Sequence, residues 1–154
     1  LFRSHAVKSK TFTENNIIGT NGGAEAIFSA IQIIADGERS GYIVLPNPAD
    51  PIYETAARIA GLEPIFCTTM TSQQPTYRDV TEEQWPNVKA VVVNSPADPY
   101  GADLPVLTWE FLLKQSEEFG FFILSDERLN TIHRGKPPAG LLEMADSKIG
   151  RAHV

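Results

Sequence analysis

Residues 88–101 read Val88-Lys89-Ala90-Val91-Val92-Val93-Asn94-Ser95-Pro96-Ala97-Asp98-Pro99-Tyr100-Gly101. Five of the first six residues are valine or alanine, and the run stops at proline. A strand that is apolar on both faces is covered on both sides, as in a parallel sheet under helices. The spacing predicts a strand over 88–93, followed by a turn at Pro99-Tyr100-Gly101.

Similar short apolar runs flank it. Tyr42-Ile43-Val44-Leu45 predicts a buried strand ending at Pro46-Asn47-Pro48. A third strand is expected over Pro64–Thr68, a fourth over Phe121–Leu124, and a short one at Ile17-Ile18. Helical patterns separate them. Ile27, Phe28, Ile31 and Ile34 recur at 3.6-residue spacing before Asp36-Gly37. Helices are likewise expected over Ile52–Ala60, stopped by Gly61, and Thr108–Phe119, stopped by Gly120, with Phe111, Leu112 and Phe119 inward. Thr69–Pro86 reads as polar loop. Strands alternating with helices give the α/β class, a three-layer αβα arrangement with a mainly parallel sheet.

The chain has 154 residues, enough for one domain with a real core. A formal charge of −6 argues against nucleic acid or an anionic membrane surface as a partner. Cys67 is the only cysteine, read as a buried thiol in a reducing compartment, and the protein is expected to be cytoplasmic. No metal site is expected. Residues 148–154 continue no periodic pattern and match one reading frame of a common sequencing adapter. They are set aside as a non-native tail, and His153 with them.

In open parallel sheets, ligands sit beyond the carboxyl ends of the strands. Three strand-end loops therefore matter. Gly19-Thr20-Asn21-Gly22-Gly23-Ala24 leads into a helix, where glycines permit close approach and free N–H groups attract an anion. Ser125-Asp126-Glu127 places an acid directly after a buried strand. It could cap a helix, serve a metal-dependent nucleotide hydrolase, or face a cationic ring nitrogen. The hydrolase reading lacks a P-loop lysine. Asn94–Gly101 is the third loop, where Asp98 could simply solvate a turn.

Taken in order, the three loops resemble class I/II aminotransferases of the fold type I pyridoxal-phosphate family. The matching segments are Asn21-Gly22-Gly23-Ala24-Glu25-Ala26-Ile27, Pro48-Ala49-Asp50, Asn94–Gly101 and Ser125-Asp126-Glu127-Arg128-Leu129. Within that family, Pro137–Glu143 resembles the succinyldiaminopimelate aminotransferase branch. The resemblance implies that residues 1–147 are part of a large cofactor-binding domain. It further implies pyridoxal 5'-phosphate as cofactor, amino acid and 2-oxo acid substrates, and a homodimer in the full-length protein. Backbone N–H groups of Gly23 and Ala24 would hold the cofactor phosphate, with Gly22 permitting the approach. Asp126 would pair with the ring nitrogen.

Three positions depart from the pattern. Asp98 stands where the family has an asparagine that donates to the cofactor's phenolic oxygen, and Leu129 where it has a tyrosine that does the same. Asp50 stands where an aromatic stacks on the ring, with Tyr53 and Tyr100 as the candidate substitutes. An ionised carboxylate accepts hydrogen bonds and donates none, so beside a phenolate either Asp98 or the oxygen is expected to keep a proton. These departures motivate a second expectation, a non-catalytic cofactor-binding or regulatory protein of the same fold. The family's cofactor-linking lysine and its carboxylate-binding arginine are expected beyond the C-terminus, so no catalytic residue is assigned within the chain and the piece alone is expected to be inactive. Lys89, Lys114, Lys136 and His133 read as surface residues.

Overall fold

The computed structural model describes residues 17–37, 40–69 and 73–148. The tail at 149–154 lies outside them; Lys148 ends the last helix. Helix α1 (Gly23–Ala35), strand β1 (Tyr42–Asn47), helix α2 (Pro51–Ala60) and strand β2 (Glu63–Thr68) come first. A 3₁₀ turn (Trp85–Asn87) then leads into strand β3 (Val88–Asn94), helix α3 (Val106–Phe119), strand β4 (Phe122–Asp126) and helix α4 (Leu141–Lys148).

The four strands form one parallel sheet in the order β2-β1-β3-β4. Side chains alternate across the sheet with the two-residue period of a strand. Val91 and Val93 of β3 join Trp109, Leu112, Phe121 and Met144 in one core, beneath α3 and α4. Ala90 and Val92 join Ile27, Ile31, Tyr53 and Ala57 in the other, beneath α1 and α2. This is the expected three-layer αβα arrangement, and the unbroken apolar run of β3 is its cause: both faces of the strand are core.

The helices end as their sequences dictate. Gly61 and Gly120 take left-handed conformations after α2 and α3, at φ 81° and 77°, where a side chain would be strained. Asp36 closes α1 in the same way. Asp50 opens α2, its Oδ1 accepting from the Ile52 N–H at 3.0 Å, with Pro51 at the first helical position.

Several expectations are corrected. Ile17 and Ile18 are not in a strand and are exposed, Ile18 by 85%. Two β-branched residues with no described strand beside them have nothing to pair with. Strand β1 continues through Pro46 to Asn47, because it pairs with β2 as far as Thr68. Helix α3 begins two residues early and buries Trp109, absent from the expected inward set. Phe122 is exposed because β4 is the last strand in the described sheet, while Phe121, just before it, is buried. Helix α4 was not expected at all. Its Leu141 N–H donates to Glu127 Oε1 at 2.8 Å, a cap supplied from fourteen residues upstream.

Candidate functional site

The carboxyl ends of β1, β3 and β4 and the start of α1 converge. At the centre is Asp126, the last residue of β4, 4% exposed. Its register partner is Asn94, the last residue of β3. The Ser95 N–H and the Asn94 side-chain amide both donate to the Asp126 carbonyl, at 3.1 and 3.4 Å. The backbone at Asp126 is thereby fixed from the neighbouring strand.

Its carboxylate is held from three sides. The Tyr53 hydroxyl donates to Oδ2 at 2.6 Å. Arg128 Nη2 stands 2.9 Å from the same oxygen, and Arg128 Nε donates to Oδ1 at 3.0 Å. The Arg128 backbone N–H also reaches Oδ1, at 3.2 Å. Arg128 then bridges onward, with Nη2 2.9 Å from Asp50 Oδ2. Two carboxylates thus share one guanidinium. Its proton affinity is raised by the hydrogen bonds to Asp126 first and Asp50 second. The Asp50 carboxyl is held below its usual range, chiefly by the Ile52 N–H and further by Arg128. Burial, then the bond to Asp126, pushes the Tyr53 phenol far above its usual range, so it stays protonated and donates.

The α1 start lies against this cluster. A Cβ at Gly23 would collide with Cδ of Arg128, so only glycine permits the guanidine stem to lie there without a shift. Gly22 precedes the helix at φ 136° and offers no side-chain acceptor to the first helical N–H groups. Glu25 instead reaches back to accept from the Asn21 N–H. Ala24, in the first turn, is exposed.

Asp98 is exposed, and its backbone N–H donates to Asn94 Oδ1 at 2.6 Å. Its loop is tied down from below. Buried Gln74 donates its amide to the Asn94 and Ala102 carbonyls at 3.1 and 2.6 Å. Leu104 N–H donates to Ser95 Oγ at 2.9 Å. Leu129 and His133 line a cavity of about 460 Å³ beside the loop, together with Pro96 and Gly101. Tyr53 is wholly buried, so its ring is no open stacking face, and its contribution is the hydroxyl on Asp126.

The structure therefore brings Gly23 and Asp126 together through Arg128, with Gly22 and Ala24 flanking Gly23 along the chain. Asp98 is tied to the same strand end through Asn94. Sequence reasoning missed three contributors: Arg128, the Tyr53 hydroxyl and Asn94. Arg128 directly follows the Asp126-Glu127 pair, and a cation beside a buried acid was the available signal. The bonds that Tyr53 and the Asn94 amide make to Asp126 cross to another strand end and leave no local trace.

The family model "Aminotransferase class I and II" matches residues 2–147. The (5-formylfuran-3-yl)methyl phosphate transaminase of Methanocaldococcus jannaschii is 32% identical over 79% of this chain and 30% of its own length. The "Probable N-acetyl-LL-diaminopimelate aminotransferase" of Bacillus subtilis is 29% identical over 80% of this chain and 31% of its own. A solved aminotransferase from Neisseria meningitidis Z2491 superposes with a TM-score of 0.77 at 35% identity, covering 82% of this chain and 33% of that one. The chain spans just under a third of the length of the curated relatives it matches. Among the described residues, no helix is long and apolar enough to cross a membrane.

Proposed function

The chain belongs to the class I and II aminotransferase family, and from that premise we propose that it is part of a pyridoxal-phosphate-dependent aminotransferase. The reaction would move an amino group between an amino acid and a 2-oxo acid. The observation that carries this reading is Asp126: a carboxylate buried at a strand end, beside the N-terminus of α1. A buried carboxylate matches a protonated ring nitrogen, and helix N–H groups match a phosphate. The residues present fit the two ends of the cofactor in this sense. When bound, the cofactor supplies an electron sink for the substrate.

The chain's own residues would then divide the work. Asp126 would hold the ring nitrogen protonated, and Tyr53 would hold Asp126 in place. Backbone N–H groups of Gly23 and Ala24 would receive the phosphate, with Gly22 leaving room. Asp98 would stand beside the phenolic oxygen, as an acceptor and not a donor. The Pro137–Glu143 segment and the relative named for N-acetyl-LL-diaminopimelate support an N-acylated diaminopimelate, such as the N-succinyl form, as the substrate. A biosynthetic role, a cytoplasmic location and a homodimer belong to the same proposal.

One observation favours a second reading, a cofactor-binding protein of this fold without transaminase activity. Asp126 already carries a guanidinium, and Asp50, Asp98 and Leu129 replace an aromatic and two donors. A single experiment separates the two. The full-length protein carrying this chain is loaded with pyridoxal 5'-phosphate and mixed with amino acids, diaminopimelate derivatives included, and the cofactor absorbance is followed. Conversion to the amine form of the cofactor supports the transaminase. Cofactor binding without conversion by any donor supports the second reading. Absence of cofactor binding refutes both.

A further inference from the structure

Asp126 has a limited capacity for donors. A carboxylate offers about four lone-pair positions. On Oδ2, two are taken by the Tyr53 hydroxyl and Arg128 Nη2. On Oδ1, two are taken by Arg128 Nε and the Arg128 backbone N–H. A ring N–H pairing with Asp126 must therefore replace one of them. Tyr53 is fully buried and packed among α1, α2 and β3 residues, so it has nowhere to turn. The backbone N–H is fixed by the chain. The guanidinium alone sits on a long side chain, 40% exposed, with a second anchor at Asp50.

Charge counting points the same way. Asp50, Asp126 and Arg128 sum to one net negative charge, so one further cation brings the cluster to neutrality. We propose that Arg128 is a displaceable counter-ion that sets the cofactor affinity of this site. A cationic ring nitrogen takes Asp126 by moving the guanidinium away, and Asp50 retains it. Asp50 thus works as the resting place of Arg128, in addition to capping α2. This rests on the aminotransferase reading and goes beyond it, because it makes two side chains of one ion pair act in opposite directions.

The test titrates the full-length protein with pyridoxamine 5'-phosphate, which carries the ring cation and needs no covalent link. Phosphate-free pyridoxamine is the control for effects at the phosphate. Binding is read from quenching of protein fluorescence. Arg128→Met, which keeps the apolar stem over Gly23, should bind both ligands about tenfold more tightly, the scale of one charge-assisted hydrogen bond. Asp50→Asn keeps an acceptor for the Ile52 N–H and removes the resting charge, so it should bind both several-fold more weakly. Arg128→Gln should follow Arg128→Met and guards against a packing artefact of the methionine. Affinity that is unchanged or weaker in both Arg128 variants overturns the inference and leaves the aminotransferase reading standing. So does a shift of Arg128→Met and Asp50→Asn in the same direction. Failure of the wild type and every variant to bind pyridoxamine 5'-phosphate overturns that reading, and the inference with it.

Discussion

Replacing Tyr53 by phenylalanine isolates one atom of the site. The ring is fully buried and would remain, so no cavity opens. What disappears is the 2.6 Å bond from the hydroxyl to Asp126 Oδ2. A hydrogen bond to a charged group contributes about 1.5–3 kcal/mol. Oδ2 keeps Arg128 Nη2 as a donor, so the carboxylate is not orphaned and the lower part of that range applies, about 1.5–2 kcal/mol. Water cannot fill in cheaply, because Asp126 is only 4% exposed. With a guanidinium m-value of about 3–4 kcal/mol/M, the unfolding midpoint should fall by about 0.5 M with the slope unchanged. Tyr53→Ala should lose a further ~3 kcal/mol or more, because it removes the ring. A double-mutant cycle with Asp126→Ala assigns the loss to the pair. If Tyr53→Phe leaves the midpoint within about 0.1 M of wild type, or the cycle shows coupling below about 0.5 kcal/mol, the hydroxyl does not hold Asp126 and the donor arithmetic of the site is wrong.

Two further outcomes are expected. Glu127→Ala removes the acceptor of the Leu141 N–H and should speed hydrogen exchange at the start of α4, at a cost of about 1 kcal/mol, while exchange in β3 stays unchanged. Burial, with a smaller contribution from Asp79, pushes the Cys67 thiol up to about 12 from 9.0. Between those values the unfolded chain releases the proton and the folded chain keeps it, so stability should fall as pH rises from about 9 to about 12. At pH 8, maleimide labelling of Cys67 should proceed only at the rate of unfolding; rapid labelling of the folded protein would contradict its burial.

The sheet was legible because β3 is apolar at Val91, Val92 and Val93, which no one-sided strand requires. Helices α1 and α2 were legible from periodicity and from their stops at Asp36 and Gly61. Ile17-Ile18 misled because β-branching measures suitability for a sheet and does not supply a neighbouring strand. Helix α4 escaped because Pro137–Glu143 was read only for its family resemblance, while the cap that starts the helix comes from Glu127 in another segment. Asp126 was found from its place after an apolar run. The Arg128 contact with Asp50 was not, since the two lie 78 positions apart and local patterning carries no record of such a pairing. At Asp50 the family pattern named what was missing, an aromatic, and the structure shows what took its place: a helix cap and one end of an ion pair.

The separation of 73 positions from Tyr53 to Asp126 also sets an order of events during synthesis. Strands β1 and β2 are neighbours in both sequence and sheet, so they can pair as soon as they leave the ribosome. Strand β3 must then dock on the other side of β1, and β4 on β3. At about 5–20 residues per second, Tyr53 waits roughly 4–15 s for its acceptor to be made. Until then a phenol destined for the interior has no carboxylate to meet, and Asp50 has no guanidinium. The ionic cluster closes only when the fourth strand arrives, so a nascent chain cannot present a finished site on a half-built sheet.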